Sequence, residues 1–471
     1  MLSTQINRRP FGIRDKLGYL LGNVGNDFMF TFSGIFLMVF YTKVLGISSG
    51  LVGTLFLVAR FLDAITDITV GRIVDNLPPS RAGKFRPWIK RLCVPAALCS
   101  FLMYQSGVAS APMWLRVAYM FATYLLWGSI FYTAVNIPYG SMASALTDDA
   151  AERASLSVFR SIGSILANLV IGVGVPLIVY QTDAAGNPLV IGSRVTAVAG
   201  VLSILTVVCY LGCYALTEER IHVKSHDTRE KRRLSETLGT LFQSRALIGF
   251  VIATVAVLAA QLLGQSVNQY LFIDYFRSKN GAALMSAAGM IPGLAVAPFA
   301  SPIVRRFGKR TVGIVGSLCS ALSCFLLFLI RTRSAAVYIT VSVLGFLGFS
   351  LFNLITWAFV TDIIDDSEIQ TGKREDGTIY GAYSFSRKIG QALAGGLGGW
   401  LLNAVGFDSA QSVQSASVAN GIYTVATLVP AILYLAVGLA LLFLYPLTKR
   451  RVEENTRILK IKNQRKENRN A

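Results

Sequence analysis

The chain has 471 residues, of which 53% are hydrophobic and 15% charged, with a mean hydropathy of +0.55 and a formal net charge of +19. So apolar a composition excludes an ordinary water-soluble domain of this size and leaves a membrane protein. The excess of cations does not point to nucleic acid, because Lys and Arg gather in alternate connections between apolar runs, the pattern of the positive-inside rule.

A bilayer core takes roughly 20 apolar residues per helical span. Twelve runs suit that need, near 17–41, 49–75, 90–108, 115–145, 156–180, 195–216, 246–275, 283–304, 311–330, 336–361, 380–404 and 420–446. Cations cluster before the first, after the second, at 220–245, at 305–310 and at 449–469, whereas the opposite connections hold few, such as Lys43, Arg277, Lys279, Arg331 and Arg333. This bias predicts that both termini are cytoplasmic, as an even number of spans requires. The leading MLSTQINRRPFGIRDK is too polar for a cleavable signal peptide, so the first span is expected to direct insertion.

In the first span Gly18, Gly22 and Gly25 share a face suited to close helix packing. Asp27 sits beside Asn23 and Asn26 on the same helix. A carboxylate that accepts hydrogen bonds from vicinal hydroxyls is a common way to hold a sugar, and an interfacial ion pair is the plainer alternative.

The second span carries FLDAITDITVGRIVDN at 61–76, with Asp63 and Asp67 four residues apart. On a helix that spacing puts both carboxylates on one face, one turn apart. An ionisable side chain at the centre of a spanning helix costs about 2.5 to 3.5 kcal/mol, so those retained tend to serve function. Either each acid is neutralised by a cation such as Arg60 or Lys388 and fixes helix contacts, or the pair, with hydroxyls such as Thr66 or Thr133, forms an oxygen cage for Na+ or shares a proton. Two acids a turn apart are a poor way to build a merely structural pair, which favours the second reading.

Further along, Arg160 opens the fifth span, and TEERIHVKSHDTREKRRLSETLGTLFQSRA from 217 divides the spans six and six. GRIVDNLPPSRAGKFRP after span 2 is echoed by SPIVRRFGKRTVG after span 8, as in transporters built from two related halves. Asp274 lies in span 7. Asp75 and Arg86 on one side, with Asp362, Asp365, Glu368 and Arg374 after span 10, supply charged groups for an inner gate. Arg387 and Lys388 open span 11, and the basic tail after 448 is expected to be irregular or bound at the membrane surface. Cys93, Cys99, Cys209, Cys213, Cys319 and Cys324 lie in or beside apolar runs without a CxxC, so neither a disulfide framework nor a zinc site is indicated. Both histidines, His222 and His226, lie in the linker, and HExxH, GxSxG and Walker sequences are absent, so the chain is not expected to be an enzyme.

Five segments together resemble a known family. LVGTLFLVARFLDAITD at 51–67, GKFRPW at 83–88, NIPYGS at 136–141, Glu152 with Arg153, and TGKREDGTIYGAYSFSRKIGQALAGG at 371–396 are similar to the glycoside, pentoside and hexuronide cation symporters of the major facilitator superfamily. The likeness covers essentially the whole chain. It is nearest to the glucuronide carriers, through NIPYGS, SFSRKIGQA at 384–392 and LYPLT at 444–448, and more distant to the melibiose carriers. The resemblance implies an all-α membrane protein with twelve transmembrane helices in two six-helix bundles, working by alternating access. The expected divisions are a bundle at 1–216, a cytoplasmic linker at 217–245, a second bundle at 246–448 and a basic cytoplasmic tail at 449–471.

Residue by residue, the resemblance puts the family's cation-site acids on Asp63 and Asp67 and its helix-4 threonine on Thr133; Thr66 stands where the melibiose carriers have asparagine, which brings proton coupling level with Na+ at Asp63 and Asp67. Sugar binding falls on Asp27 and Arg160, with Lys388 near both sites. Asn136 replaces an acid and Gly140 a tryptophan of the melibiose carriers. One negative charge fewer, with Arg387 beside Lys388, suits an anionic substrate, although Asn136 would also serve a neutral one. The expected function is import of a glucuronide or other hexuronide with H+ or Na+ across the bacterial inner membrane, by a monomer without further cofactor or nucleic-acid partner. Rival readings are a symporter for a neutral glycoside or pentoside, a facilitator of lysolipids, and a sugar-binding sensor without net transport.

Overall fold

The computed structural model of the chain describes residues 9–76, 80, 82–221, 244–371, 376–411 and 413–470. Its long helices in chain order are α1 (Ile13–Val44), α2 (Ser49–Asn76), α3 (Arg86–Leu102), α4 (Met113–Leu146), α5 (Ala151–Val179) and α6 (Gly192–Leu216), then α7 (Arg245–Tyr275), α8 (Gly281–Phe307), α9 (Lys309–Ile330), α10 (Ala335–Thr371), α11 (Asp376–Ala404) and α12 (Ala416–Leu444). Ten of them are long and apolar enough to cross a membrane by length and composition; α2, with 28 residues, and α11, with 29, have the length and carry the charged residues singled out above. Phe61, Ile65, Ile204, Phe443 and many other large apolar side chains are exposed, an arrangement that suits lipid and not water. Between α5 and α6 lies a short hairpin, β1 (Tyr180–Thr182) and β2 (Pro188–Val190), closed by Asp183, whose carboxylate accepts the N–H groups of Ala185 and Asn187.

The described parts divide into two compact units. One takes in Met1–Arg229 together with Phe272–Ser286 and Gly399–Ser415; the other takes in Glu230–Leu271, Ala287–Gly398 and Ala416–Ala471. In the first unit α1 is the central helix and packs on α5 and α6. Its small residues allow this. A Cβ on Gly22 would lie 2.4 Å from the Tyr139 ring, and one on Gly25 would lie 3.2 Å from the Thr206 carbonyl oxygen. Tyr139 stacks on Tyr19 and donates its hydroxyl to the Tyr19 carbonyl oxygen at 2.7 Å, so the aromatic core has its polar atom satisfied. At the far end of α1, Lys43 Nζ meets Asp274 Oδ1 at 2.6 Å and lies over the Phe407 ring, with both charged side chains under a tenth exposed.

The second unit packs Phe250, Phe359, Val437, Leu441 and Tyr445 into one core. Here α9 crosses α10 at a glycine pair: a Cβ on Gly348 would lie 2.1 Å from the Gly316 carbonyl oxygen. The two loops that echo each other in sequence also share a local structure. Gly83 and Gly308 both turn with positive φ, at +109° and +82°. Just beyond, Arg86 donates to the Tyr214 carbonyl oxygen at the end of α6, from Nη2 at 2.6 Å, while Arg310 donates to Leu441 and Leu442 carbonyl oxygens at the end of α12, at 3.0 and 2.5 Å. Each guanidinium thus satisfies carbonyls that a helix end leaves open.

The basic tail departs from expectation. Lys449–Asn470 forms helix α13, which packs on the end of α10. Asn455 donates to the buried Asp366 at 2.8 Å, and Lys462 pairs with Glu368 at 3.2 Å. Its polarity suggested an irregular segment, but the acids projecting from α10 give a polar helix specific partners.

Candidate functional site

The two acids of α2 meet two hydroxyls of α4 rung by rung. Ser129 Oγ donates to Asp63 Oδ1 at 2.6 Å, and Thr133 Oγ1 donates to Asp67 Oδ1 at 3.0 Å. Both pairs are separated by 66 residues, so the helices run in the same direction and a one-turn step on α2 matches a one-turn step on α4. Asp63, Ser129 and Thr133 are buried. Ser129 belongs to a π-turn, Leu126–Tyr132, and the Gly128 carbonyl oxygen within it shares the single Thr133 hydroxyl proton with Asp67, also at 3.0 Å. The other oxygen of Asp63 pairs with Arg60 Nη1 at 3.2 Å, one turn back on the same helix. Arg60 in turn lies over the Phe30 ring, 5.6 Å from its centroid.

Thr66 does not join this ladder. Its hydroxyl donates to the Asp63 carbonyl oxygen at 3.2 Å, a bond within its own helix. Ser129 occupies the place that the sequence suggested for it. The sign was there, since Ser129 and Thr133 repeat on α4 the four-residue step of Asp63 and Asp67. The donor set is oxygen throughout, hard in character and suited to Na+ or to a proton. Among the described residues no group of three His, Cys, Asp or Glu stands ready for a transition metal.

A second cluster gathers on α1 and α5. Asp27 Oδ2 accepts from Ser164 Oγ at 2.6 Å and from Asn23 Nδ2 at 3.0 Å, and Asn26 Nδ2 reaches Oδ1 at 3.3 Å. Arg160 Nε donates to Asn23 Oδ1 at 3.1 Å, and the guanidinium lies over Tyr139 at 5.7 Å. Asp27 and Arg160 are therefore brought together, with Asn23 and Ser164 as partners that sequence reasoning had not assigned to the site. Asn136 on α4 is half-buried and takes no part in these hydrogen bonds. Arg387 and Lys388 belong to the second unit, where Arg387 is exposed over the Tyr383 ring at 5.9 Å.

Of the residues assigned to an inner gate, Arg86 and Asp362 have separate partners among the described residues. Arg86 serves the end of α6, as described, and Asp362 pairs with Lys309 at 2.6 Å. Asp365 lies half-buried on α10; Arg374 and the side chain of Asp75 fall outside the described residues. Glu219, unassigned from sequence, is a buried anchor: its carboxylate accepts the N–H groups of Lys84, Phe85 and Arg86 at 2.7 to 2.8 Å, where α3 begins.

A multi-pass helical protein with carboxylates and cations buried within its spans has the build of a membrane transport protein. The chain belongs to the family described as MFS/sugar transport protein, whose model matches residues 18–449. It is 32% identical to the uncharacterized symporter YjmB of Bacillus subtilis over 95% of each chain. It is 29% identical to the glucuronide carrier protein homolog of Escherichia coli and 30% identical to a putative 2,3-dihydroxypropane-1-sulfonate exporter of Salmonella typhimurium, in each case over 94% of both chains. Among solved structures it is similar to a crystal structure of a D-xylose-proton symporter, with a TM-score of 0.61 at 16% identity, covering 93% of this chain and 98% of that one. The chain is therefore a sugar or glycoside transporter with the major facilitator fold, and not an enzyme.

Proposed function

We propose that this transporter is a cation-coupled symporter that imports an anionic glycoside, with a glucuronide or other hexuronide as the leading class. The observation that carries the coupling is the ladder of Asp63 and Asp67 against Ser129 and Thr133, which offers a monovalent cation two carboxylates and two hydroxyls, all buried but the half-buried Asp67. H+ and Na+ both remain candidates for that place. The anionic substrate is supported by Arg160 beside Asp27, since a guanidinium fork matches a carboxylate or sulfonate in geometry and charge. Two relatives are named for such substrates, a glucuronide and a sulfonated propanediol.

In this reading sugar hydroxyls are held by Asp27 and Asn136, and Arg160 takes the anionic group. Cation binding at Asp63 and Asp67 favours the state that holds sugar, and sugar favours the state that holds the cation by the same factor. Arg387 and Lys388 add positive charge on α11. The gate residues Asp75, Arg86, Asp362, Asp365 and Arg374 bias the balance of inner-face states. Both termini lie in the cytoplasm and the protein resides in the bacterial inner membrane, as the distribution of cations suggests.

Asp63→Asn in membrane vesicles tests the assignment. Uphill accumulation of glucuronide is expected to disappear while exchange of internal for external substrate survives. Unchanged accumulation would remove Asp63 from the coupling site.

A further inference from the structure

We propose that Asn23 is a positioning residue that sets Arg160 to read the charged group of the substrate; this rests on the anionic-substrate reading above. Asn23 is 1% exposed, and every polar atom of its side chain is engaged at the cluster. Nδ2 donates to Asp27 Oδ2 at 3.0 Å and to Ser164 Oγ at 2.8 Å, and Oδ1 accepts from Arg160 Nε at 3.1 Å. The chemistry of the partners fixes the orientation of the amide. A carboxylate needs a donor and a guanidinium needs an acceptor, so the reversed amide would face both with the wrong atom.

Ser164 closes the ring, because its hydroxyl donates to Asp27 Oδ2 at 2.6 Å while it accepts from Asn23. The consequence falls on Arg160. With Nε committed to Asn23 and the guanidinium flanked by Tyr139, the side chain is held on one edge while the residue stays exposed. In this proposal Nη1 and Nη2, with the Tyr19 hydroxyl beside the guanidinium, take a carboxylate or sulfonate through two parallel hydrogen bonds. An amide does this better than an acid would. Asp at position 23 would pair with Arg160 and compete with the substrate, whereas the neutral amide orients the guanidinium and leaves its charge for the ligand.

The test compares a glucuronide with the matching neutral glucoside in proteoliposomes, measuring half-saturation constants in exchange mode at equal pH and equal Na+ on both sides so that no ion gradient enters. In the wild type the glucuronide is expected to bind more tightly. Asn23→Leu is expected to shrink that preference about tenfold, the order of one charge-assisted hydrogen bond lost, even though both substrates weaken through Asp27. Asn23→Gln, which keeps an acceptor and a donor, is expected to recover part of the preference, and it serves as the second reading if the leucine variant does not fold. Equal weakening of both substrates in the variants, or no change in the preference, overturns the role of Asn23. A wild type that favours the neutral glucoside overturns the anionic-substrate reading and this inference with it.

Discussion

At the scale of single residues, the proposed coupling site turns on which hydroxyls face which carboxylates. Ser129 donates its proton to Asp63 and Thr133 donates to Asp67, while Thr66 spends its own on the backbone of its helix. Two substitutions separate these roles. Ser129→Ala removes an oxygen from the ladder and is expected to raise the half-saturating concentration of the coupling cation about tenfold, read from uptake at fixed sugar. Thr66→Val, close in shape, is expected to change it less than about twofold, because the lost bond lies within the helix. The acids themselves, with Asp27 and Arg160, stood out in the sequence, since a charge inside an apolar run advertises itself, whereas Thr133 was assigned to the site through the family resemblance. Ser129 did not stand out, and Asn23 did so only as a neighbour of Asp27, because uncharged polar residues occur freely in spanning helices and need a partner on another helix to acquire meaning. The fate of Thr66 shows the same limit from the other side: spacing places a side chain on a face, but a hydroxyl chooses between a partner helix and its own backbone.

At the scale of elements, small residues set how closely helices cross. Gly348 meets the backbone of Gly316, which cannot give way, so Gly348→Val is expected to cost about 1 to 3 kcal/mol or prevent folding, seen as loss of a sharp thermal transition in detergent. Gly264 on α7 has open space about its Cα, and Gly264→Ala is expected to leave the transition where it is or raise it slightly. The Lys43–Asp274 pair tests a different force. Lys43→Ala strands a buried carboxylate and is expected to destabilise by about 3 to 5 kcal/mol, whereas the double change Lys43→Ala with Asp274→Ala restores much of the loss. A double variant as unstable as the single one would show that the lysine acts through packing on Phe407. The helices and their order could be read from hydropathy because lipid demands long apolar runs. Helix α13 could not, for its order comes from Asp366 and Glu368 on α10, far away in sequence.

At the scale of the whole molecule, one motif appears twice with one job: a glycine turn followed by an arginine that closes the end of α6 in one unit and of α12 in the other. The ladder and the Asp27 cluster lie in the first unit, and Arg387 and Lys388 lie in the second. Family and fold were legible from five short segments because their order along the chain is a far stronger signal than any one of them. Substrate and ion are harder to read, since Na+ and H+ both suit paired carboxylates, and a guanidinium suits any oxyanion. The most direct measurement is uptake of radiolabelled glucuronide into proteoliposomes, with sodium and proton gradients imposed separately. The account predicts accumulation above the external concentration with one of the two gradients, abolished by Asp63→Asn. Equilibration without accumulation under either gradient would contradict it.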